Sequence, residues 1–277
     1  MGTFYICATP IGNLDDISIR LKDTLAKVDV IYAEDTRRAN KLLNHLDIKK
    51  PVSSYFVGNE KKKIDEIIDL IEESKSVALI SDAGTPLISD PGEELVKALI
   101  LNEIKIESIP GPSSVMVALT LSGFDTNKFQ FHGFIPKSGK EREDFFSLIK
   151  TLTTTLVCFT SPNRLLKDLE EFVKYKIDNE LVICRELTKK FESIYRGTAQ
   201  SLIDDLSQNK IKGEVTIVVS KSDIAESLDT DIQKAVDNLL RFNIPKRDIA
   251  KILSSLTSFG TKTHSPSFFS YRLPFFP

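Results

Sequence analysis

Three stretches of this chain place glycine, proline and small hydroxyl residues directly after apolar runs: Ala8-Thr9-Pro10-Ile11-Gly12-Asn13, Ser81-Asp82-Ala83-Gly84-Thr85-Pro86 and Ile109-Pro110-Gly111-Pro112-Ser113-Ser114. Small residues such as Ala83 and Gly84 let backbone amides and carbonyls approach a ligand closely, and Ser113 or Ser114 can cap a following helix while facing the same space. The chemistry on offer is binding through main-chain groups. Each loop taken alone is also explained by ordinary turn formation. A fourth stretch, Glu34-Asp35-Thr36-Arg37-Arg38, sets two guanidiniums beside a carboxylate. Guanidiniums hold phosphates bidentately, and the same residues equally suit a capped helix start with solvated arginines. Asp90-Pro91-Gly92-Glu93 reads as an N-cap, an N1 proline and an N3 glutamate, a helix start that would fix the loop before it.

Absent motifs narrow the chemistry. There is no G-x-G-x-x-G, no G-x-x-x-x-G-K-S/T and no G-x-S-x-G, which disfavours a dinucleotide site, a P-loop and a serine hydrolase. His45, His132 and His264 are scattered, so no metal is expected. His132, on a phenylalanine-rich run, reads as structural. Cys7, Cys158 and Cys184 lie far apart inside β-type runs and read as reduced core thiols.

The elements that must position these loops alternate. Phe4 to Thr9, Asp29 to Ala33, Val77 to Ser81 and Ile104 to Ile109 read as strands, with helices between. The clearest helix is Asn59 to Glu73, where Ile64, Ile67, Ile68 and Ile71 share one face. Strand-helix repetition with short connections predicts a mostly parallel sheet, and all three small-residue loops then emerge on its carboxyl edge, where ligands collect. After residue 122 a second set follows: strands Phe129 to Phe134 and Thr155 to Phe159, a helix near Arg142 to Leu152, a helix capped by Ser161-Pro162 and running through Phe172, and strands Leu181 to Arg185 and Val215 to Val219. A hairpin-like Phe191 to Arg196 makes this sheet mixed. The expected organisation is an α/β domain over 1–122, a second over 123–222, and a linker, small helical appendage and divergent tail over 223–277.

With 277 residues, 41% of them hydrophobic, the chain can bury a large core. Lys plus Arg number 37 against 39 Asp plus Glu, a formal net charge of -2. Any nucleic-acid binding must therefore use a local patch rather than global attraction. No apolar stretch approaches the roughly 18 residues of a membrane span, and the reading is a cytoplasmic protein without membrane contact.

Thr9-Pro10-Ile11-Gly12-Asn13-Leu14, Glu34-Asp35-Thr36-Arg37, Ser81 to Pro86 with Ser89-Asp90-Pro91-Gly92, Pro110-Gly111-Pro112, Gly133-Phe134-Ile135-Pro136, Arg185-Glu186-Leu187-Thr188-Lys189 and Lys212-Gly213-Glu214 occur in this order. Together they resemble the ribosomal RNA small subunit methyltransferase I group, the 16S rRNA cytidine 2′-O-methyltransferases of the tetrapyrrole-methylase superfamily. The resemblance spans roughly residues 3 to 220. It implies two α/β domains, the first with a mostly parallel and the second with a mixed sheet, S-adenosylmethionine in the cleft between them, a homodimer, and 16S rRNA of the small ribosomal subunit as partner. Carried over residue by residue, the cofactor positions are Pro10, Asp82, Ala83, Gly84, Thr85, Ile88, Ser113, Ser114, Phe159 and Leu187. Two positions depart: Thr160 stands where the family usually has Glu, and Asn163 where it has His, while Arg164 is retained. The family's basic ending is replaced by the Phe- and Pro-rich 257–277.

The implied reaction transfers a methyl group to a ribose 2′-hydroxyl, a very weak acid. A carboxylate can take its proton and a cation can stabilise the developing alkoxide. Asp35, Glu186 and Lys189 are the candidates, and Arg37, Arg38, Lys137, Arg164 and Arg185 the candidates for contact with RNA. Two other readings are a superfamily methyltransferase acting on a tetrapyrrole or other small molecule, and a catalytically silent RNA-binding assembly factor. Cofactor binding separates an enzyme from the latter.

Overall fold

The computed structural model describes residues 2–208 and 211–222, and beyond them only 239, 245, 247–249 and 251. The chain divides into two units, Met1–Ser222 and Asp223–Pro277. The helical appendage and tail expected over 223–277 lie almost wholly outside the described residues. In the second unit the backbone amides of Asp248 and Ile249 both donate to the Pro245 carbonyl.

The first unit opens with β1 (Phe4–Cys7), α1 (Ile19–Lys27), β2 (Val30–Ala33), α2 (Thr36–His45), β3 (Val52–Ser54), α3 (Glu60–Glu72), β4 (Val77–Ile80), α4 (Glu93–Leu101), β5 (Ile106–Ile109) and α5 (Ser114–Ser122). The five strands form one parallel sheet in the order β3-β2-β4-β1-β5. β4 explains why the sequence Val-Ala-Leu-Ile is apolar throughout: successive side chains point to opposite faces, and both faces are covered. Ala78 and Ile80 pack with Leu21, Leu25, Leu42 and Leu43 of α1 and α2. Val77 and Leu79 pack with Ile67, Ile71, Leu95 and Leu99 of α3 and α4. Ile67 and Ile71 are fully buried, each contributing about 1.5–3 kcal/mol by area removed from water.

A second five-stranded sheet follows, built from β6 (Phe129–Phe134), α6 (Gly139–Ile149), β7 (Thr155–Thr160), α7 (Leu165–Lys174), β8 (Leu181–Arg185), β9 (Ser193–Gly197), α8 (Ala199–Leu206) and β10 (Val215–Val219). Its order is β6-β7-β10-β8-β9, with β6 and β7 parallel and the other pairs antiparallel. Alternation again assigns the faces. Leu156, Cys158, Leu181, Ile183, Val215, Ile217 and Val219 face α6, α7 and α8. Val157, Val182, Cys184 and Val218 face α5, whose Val115, Ala118 and Leu119 complete a core that also takes in Ile11 and Leu187. The last helix of the first half is thus a layer of the second sheet. That shared core fixes the two sheets in one unit.

Two expected helix starts are corrected. α4 begins at Glu93 with Gly92 as its cap at φ 136°, and no side chain caps it. Asp90 is two residues short of that position. α7 begins at Leu165, with Arg164 as its cap. Ser161 serves only through its carbonyl, which accepts from the amides of Arg164 and Leu165.

Candidate functional site

Because β4, β1 and β5 are adjacent and parallel, the loops at their carboxyl ends lie side by side. Two of them are pinned together: the Thr9 amide donates to the Gly84 carbonyl at 2.8 Å and the Gly84 amide to the Thr9 carbonyl at 3.1 Å. The Thr9 hydroxyl donates to the Ser81 carbonyl and the Ser81 hydroxyl to that of Gly84. Gly84 holds φ +83°, a conformation that suits glycine. Pre-set backbone of this kind needs no ordering when a ligand arrives.

Above these loops, between the two sheets, lies a cavity of about 390 Å³, within the ordinary range for a small-molecule site. Its first-sheet wall is Asp82 to Thr85, Ile88 to Asp90 and Ser113 to Val115; its second-sheet wall is Phe134, Phe159 to Pro162, Cys184, Leu187 and Gly213 to Thr216. The Phe134 and Phe159 rings meet edge-on, 5.4 Å apart. Ser113 caps α5 without a side-chain cap bond, leaving its hydroxyl for the cavity. Glu34, Asp82 and Asp90 put three carboxylates on one side. Burial, then repulsion by Asp82, raises the Glu34 pKa. Burial, then repulsion by Glu34 and Asp82, pushes Asp90 up to about 6. A cation in this cavity would relieve both.

A second cavity, of about 230 Å³, adjoins the first. Thr9, Pro10, Gly12, Arg38, Lys41 and Lys189 are among its walls, and it shares Ile11, Asp82, Ala83 and Glu214 with its neighbour. Lys189 bonds Glu186 Oε1 at 2.8 Å and Glu214 Oε2 at 3.1 Å. Burial alone would lower the Lys189 pKa, but these carboxylates raise it above the ordinary value, so the amine stays charged. Glu186 is raised by burial and lowered further by bonds from Lys189 and the Glu214 amide, ending below its ordinary value. Two glycines make room: a Cβ on Gly12 would meet Lys189 Cγ at 2.4 Å, and one on Gly213 the Glu186 carboxylate carbon at 2.2 Å. Glu186 and Thr188 both carry positive φ, backbone strain held at the loop that presents Lys189.

Of the ten cofactor positions read from the sequence, nine line the first cavity; Pro10 lines the second alone. Glu34, Asp90 and Glu214 were not singled out as site residues. Asp35 borders neither cavity. It caps α2 through the Arg37 amide and takes the Arg37 guanidinium on both oxygens, at 3.1 and 2.7 Å. Those bonds hold its pKa well below the usual carboxylate range. Arg37 is otherwise exposed, while Arg38 pairs with Asp82 at 3.3 Å. Lys137 is exposed. Arg185 spends its guanidinium on the carbonyls of Lys212 and Phe191 and the Ser193 hydroxyl. Arg164 donates to the carbonyls of Ile135 and Pro136 and pairs with Asp168. Asp168, fully buried, also takes Arg142 at 2.7 Å and the Thr160 hydroxyl. This cluster braces the ends of β6 and β7 where they meet the cavity. Thr160 acts there as a bracing group, with its hydroxyl turned to Asp168.

Residues 3–203 match the family of Tetrapyrrole (Corrin/Porphyrin) Methylases. Ribosomal RNA small subunit methyltransferase I of Thermotoga maritima is 44% identical over 220 residues, covering 79% of this chain and 99% of that protein. The chain belongs to the ribosomal RNA small subunit methyltransferase I family. The member from Haemophilus influenzae is 38% identical over 261 residues and the match covers 92% of each. Among solved structures, a cobalt precorrin-4 methyltransferase superposes with a TM-score of 0.61 at 21% identity, over 79% of this chain and 94% of that one. A uroporphyrin-III C-methyltransferase from Thermus thermophilus, complexed with S-adenyl homocysteine, gives 0.56 at 13%, over 79% and 97%. At these identities the superpositions establish the shared fold. This methyltransferase I family member is therefore a methyltransferase of the tetrapyrrole methylase fold, and no helix among its described residues is long and apolar enough to cross a membrane.

Proposed function

We propose that the chain transfers the methyl group of S-adenosylmethionine to the ribose 2′-hydroxyl of a cytidine in the decoding region of 16S rRNA. The observation that carries the reading is the pair of joined cavities, one suited to the donor and one open to a phosphate-bearing acceptor, in a chain about 40% identical to small-subunit rRNA methyltransferases.

The first cavity suits the cofactor in kind. Glu34, Asp82 and Asp90 match its sulfonium and ammonium charges, Phe134 and Phe159 offer aromatic surface to a purine, and the amino end of α5 suits its carboxylate. When bound, the cofactor supplies a methyl group already electrophilic at sulfur. The protein must then hold the acceptor oxygen in line with that methyl and manage one proton. Arg38, Lys41 and Lys189 give the second cavity cationic groups for phosphate and for a developing alkoxide. Asp35 and Arg37 form a linked pair at the start of α2, next to Arg38, Glu186 holds Lys189, and Lys137, Arg164 and Arg185 complete the proposed RNA-facing set. Because the latter two are bonded to backbone carbonyls, their contribution is to shape the surface. Action as a homodimer in the cytoplasm belongs to the same reading.

Mass mapping of ribose methylation in 16S rRNA, from cells with and without this gene product, tests substrate and atom together. Loss of one 2′-O-methylcytidine is expected in its absence. An unchanged map, with a tetrapyrrole product instead, would move the protein to the small-molecule reading; no methyl transfer to either would make it an assembly factor.

A further inference from the structure

We propose that Glu214 is the proton acceptor for the methylated hydroxyl, with Lys189 as the adjacent cation and Glu186 as the residue that positions both. The inference rests on the methyl-transfer reading above and names the group at its reacting point.

The methyl donor and the acceptor hydroxyl must meet where the two cavities meet, and among the described residues only Ile11, Asp82, Ala83 and Glu214 line both. Ile11 and Ala83 have no group that takes a proton. Asp82 has both oxygens engaged, Oδ1 by the Asp35 amide at 3.2 Å and Oδ2 by Arg38 at 3.3 Å. Glu214 differs. Its Oε2 pairs with Lys189 at 3.1 Å, its side chain is 59% exposed, and among the described residues Oε1 accepts no hydrogen bond. A carboxylate with one anchored and one open oxygen is oriented without being spent. Glu186 anchors the arrangement from below: Oε1 accepts from both Lys189 Nζ and the Glu214 backbone amide, at 2.8 and 2.9 Å. Gly213 is needed for that contact, since any Cβ there would occupy the carboxylate's place.

In the proposed step the hydroxyl O–H bond breaks and its proton passes to Glu214 Oε1. The oxygen's electron pair forms the new O–CH₃ bond as the C–S bond breaks, and that bonding pair stays on sulfur, giving S-adenosylhomocysteine and the methyl ether. The proton then leaves Glu214 for water. Lys189 stays protonated throughout and offsets the negative charge on the acceptor oxygen.

The test is single-turnover methylation of small subunits by the full chain, comparing wild type, Glu214→Gln and Asp35→Asn. Glu214→Gln keeps the side chain's size and its backbone bond to Glu186. It should slow transfer about 10²-fold or more while binding of S-adenosylhomocysteine and of subunits stays within about twofold. Independently of activity, loss of the carboxylate should speed acylation of Lys189 by an amine reagent. Wild-type rates for Glu214→Gln, or Lys189 labelling that does not change, would overturn the proposal. A slow Asp35→Asn beside a fast Glu214→Gln would give the proton to Asp35. No methylation by wild type would instead sink the function reading itself.

Discussion

At Asp90 the functional and structural demands on one carboxyl pull apart. Its ordinary pKa is 3.8, while burial and the neighbouring Glu34 and Asp82 bring it to about 6 in the fold. Between those values the folded chain holds more proton than the unfolded one, so this group's contribution to stability falls as pH rises through about 6. Asp90→Asn should therefore melt higher than wild type at about pH 7.5, with the gain fading towards about pH 4. The same variant should bind S-adenosylmethionine more weakly, having lost a charge that faces the cation. Thermal melts across pH with calorimetric titration check both, and a pH-independent gain would show that the charge is not its source. At Gly84 the constraint is backbone. A Cβ there would sit 3.4 Å from Ile11 Cγ2, an ordinary contact, but φ +83° strains any side chain, by about 1–2 kcal/mol for an L-residue and more for a β-branched one. Gly84→Val should abolish cofactor binding by shifting the loop pinned to Thr9. A folded variant with unchanged affinity would remove this loop from the site.

Among the elements, the Asp168 cluster has the largest mechanical consequence. Arg142 from α6, Arg164 at the head of α7 and Thr160 at the end of β7 converge on one carboxylate that is fully buried. Removing the acceptor leaves two guanidiniums, 14% and 22% exposed, without their counter-charge. Asp168→Ala should cost about 3–5 kcal/mol in urea denaturation; a loss under about 1 kcal/mol would place the strength elsewhere. This brace also shows where sequence reading stops. Apolar runs and the 3.6-residue pattern made nine of the ten strands among the described residues, and α3, legible, because alternation against a two-sided core leaves a local trace. β3, three residues of Val-Ser-Ser at the sheet edge, leaves none. The Asp90 and Ser161-Pro162 starts differ from the fold because each helix begins further on, after Gly92 and Arg164, although the capping residue types stand earlier. The small-residue loops were legible as a site for a local reason, the need for close backbone approach. Glu34, Asp90, Asp168 and Glu214 were not, since their meaning comes from partners far away in the chain. Lys212-Gly213-Glu214 stood out as a motif, without any local sign that its glutamate reaches a cleft.

For the molecule as a whole, a net charge of -2 gives no broad attraction for RNA, so affinity must come from a local cationic edge and from shape. Arg38→Ala should weaken subunit binding and flatten its salt dependence by about one ion's worth with cofactor affinity unchanged. Arg37→Ala should do the same while freeing the Asp35 carboxylate. Filter binding at several salt concentrations measures both, and equal salt slopes in wild type and variants would take these arginines off the phosphate path. Turnover should require RNA already shaped by the small subunit. Equal rates on a short unstructured oligonucleotide would contradict that.

The order β3-β2-β4-β1-β5 carries a further consequence, for the time the chain spends on the ribosome during its own synthesis. β1 is made first and sits between strands made much later, so Phe4–Cys7 has neither neighbour until Val77–Ile80 has emerged. At about 5–20 residues per second that delay is on the order of several seconds. Through it an apolar segment waits with both edges open, the condition in which strands find wrong partners. Its last neighbour, Ile106–Ile109, arrives later still, so the loop after it joins the paired Thr9 and Gly84 loops last. A nascent enzyme of this topology completes its three binding loops only once the residues after Ile109 have been made.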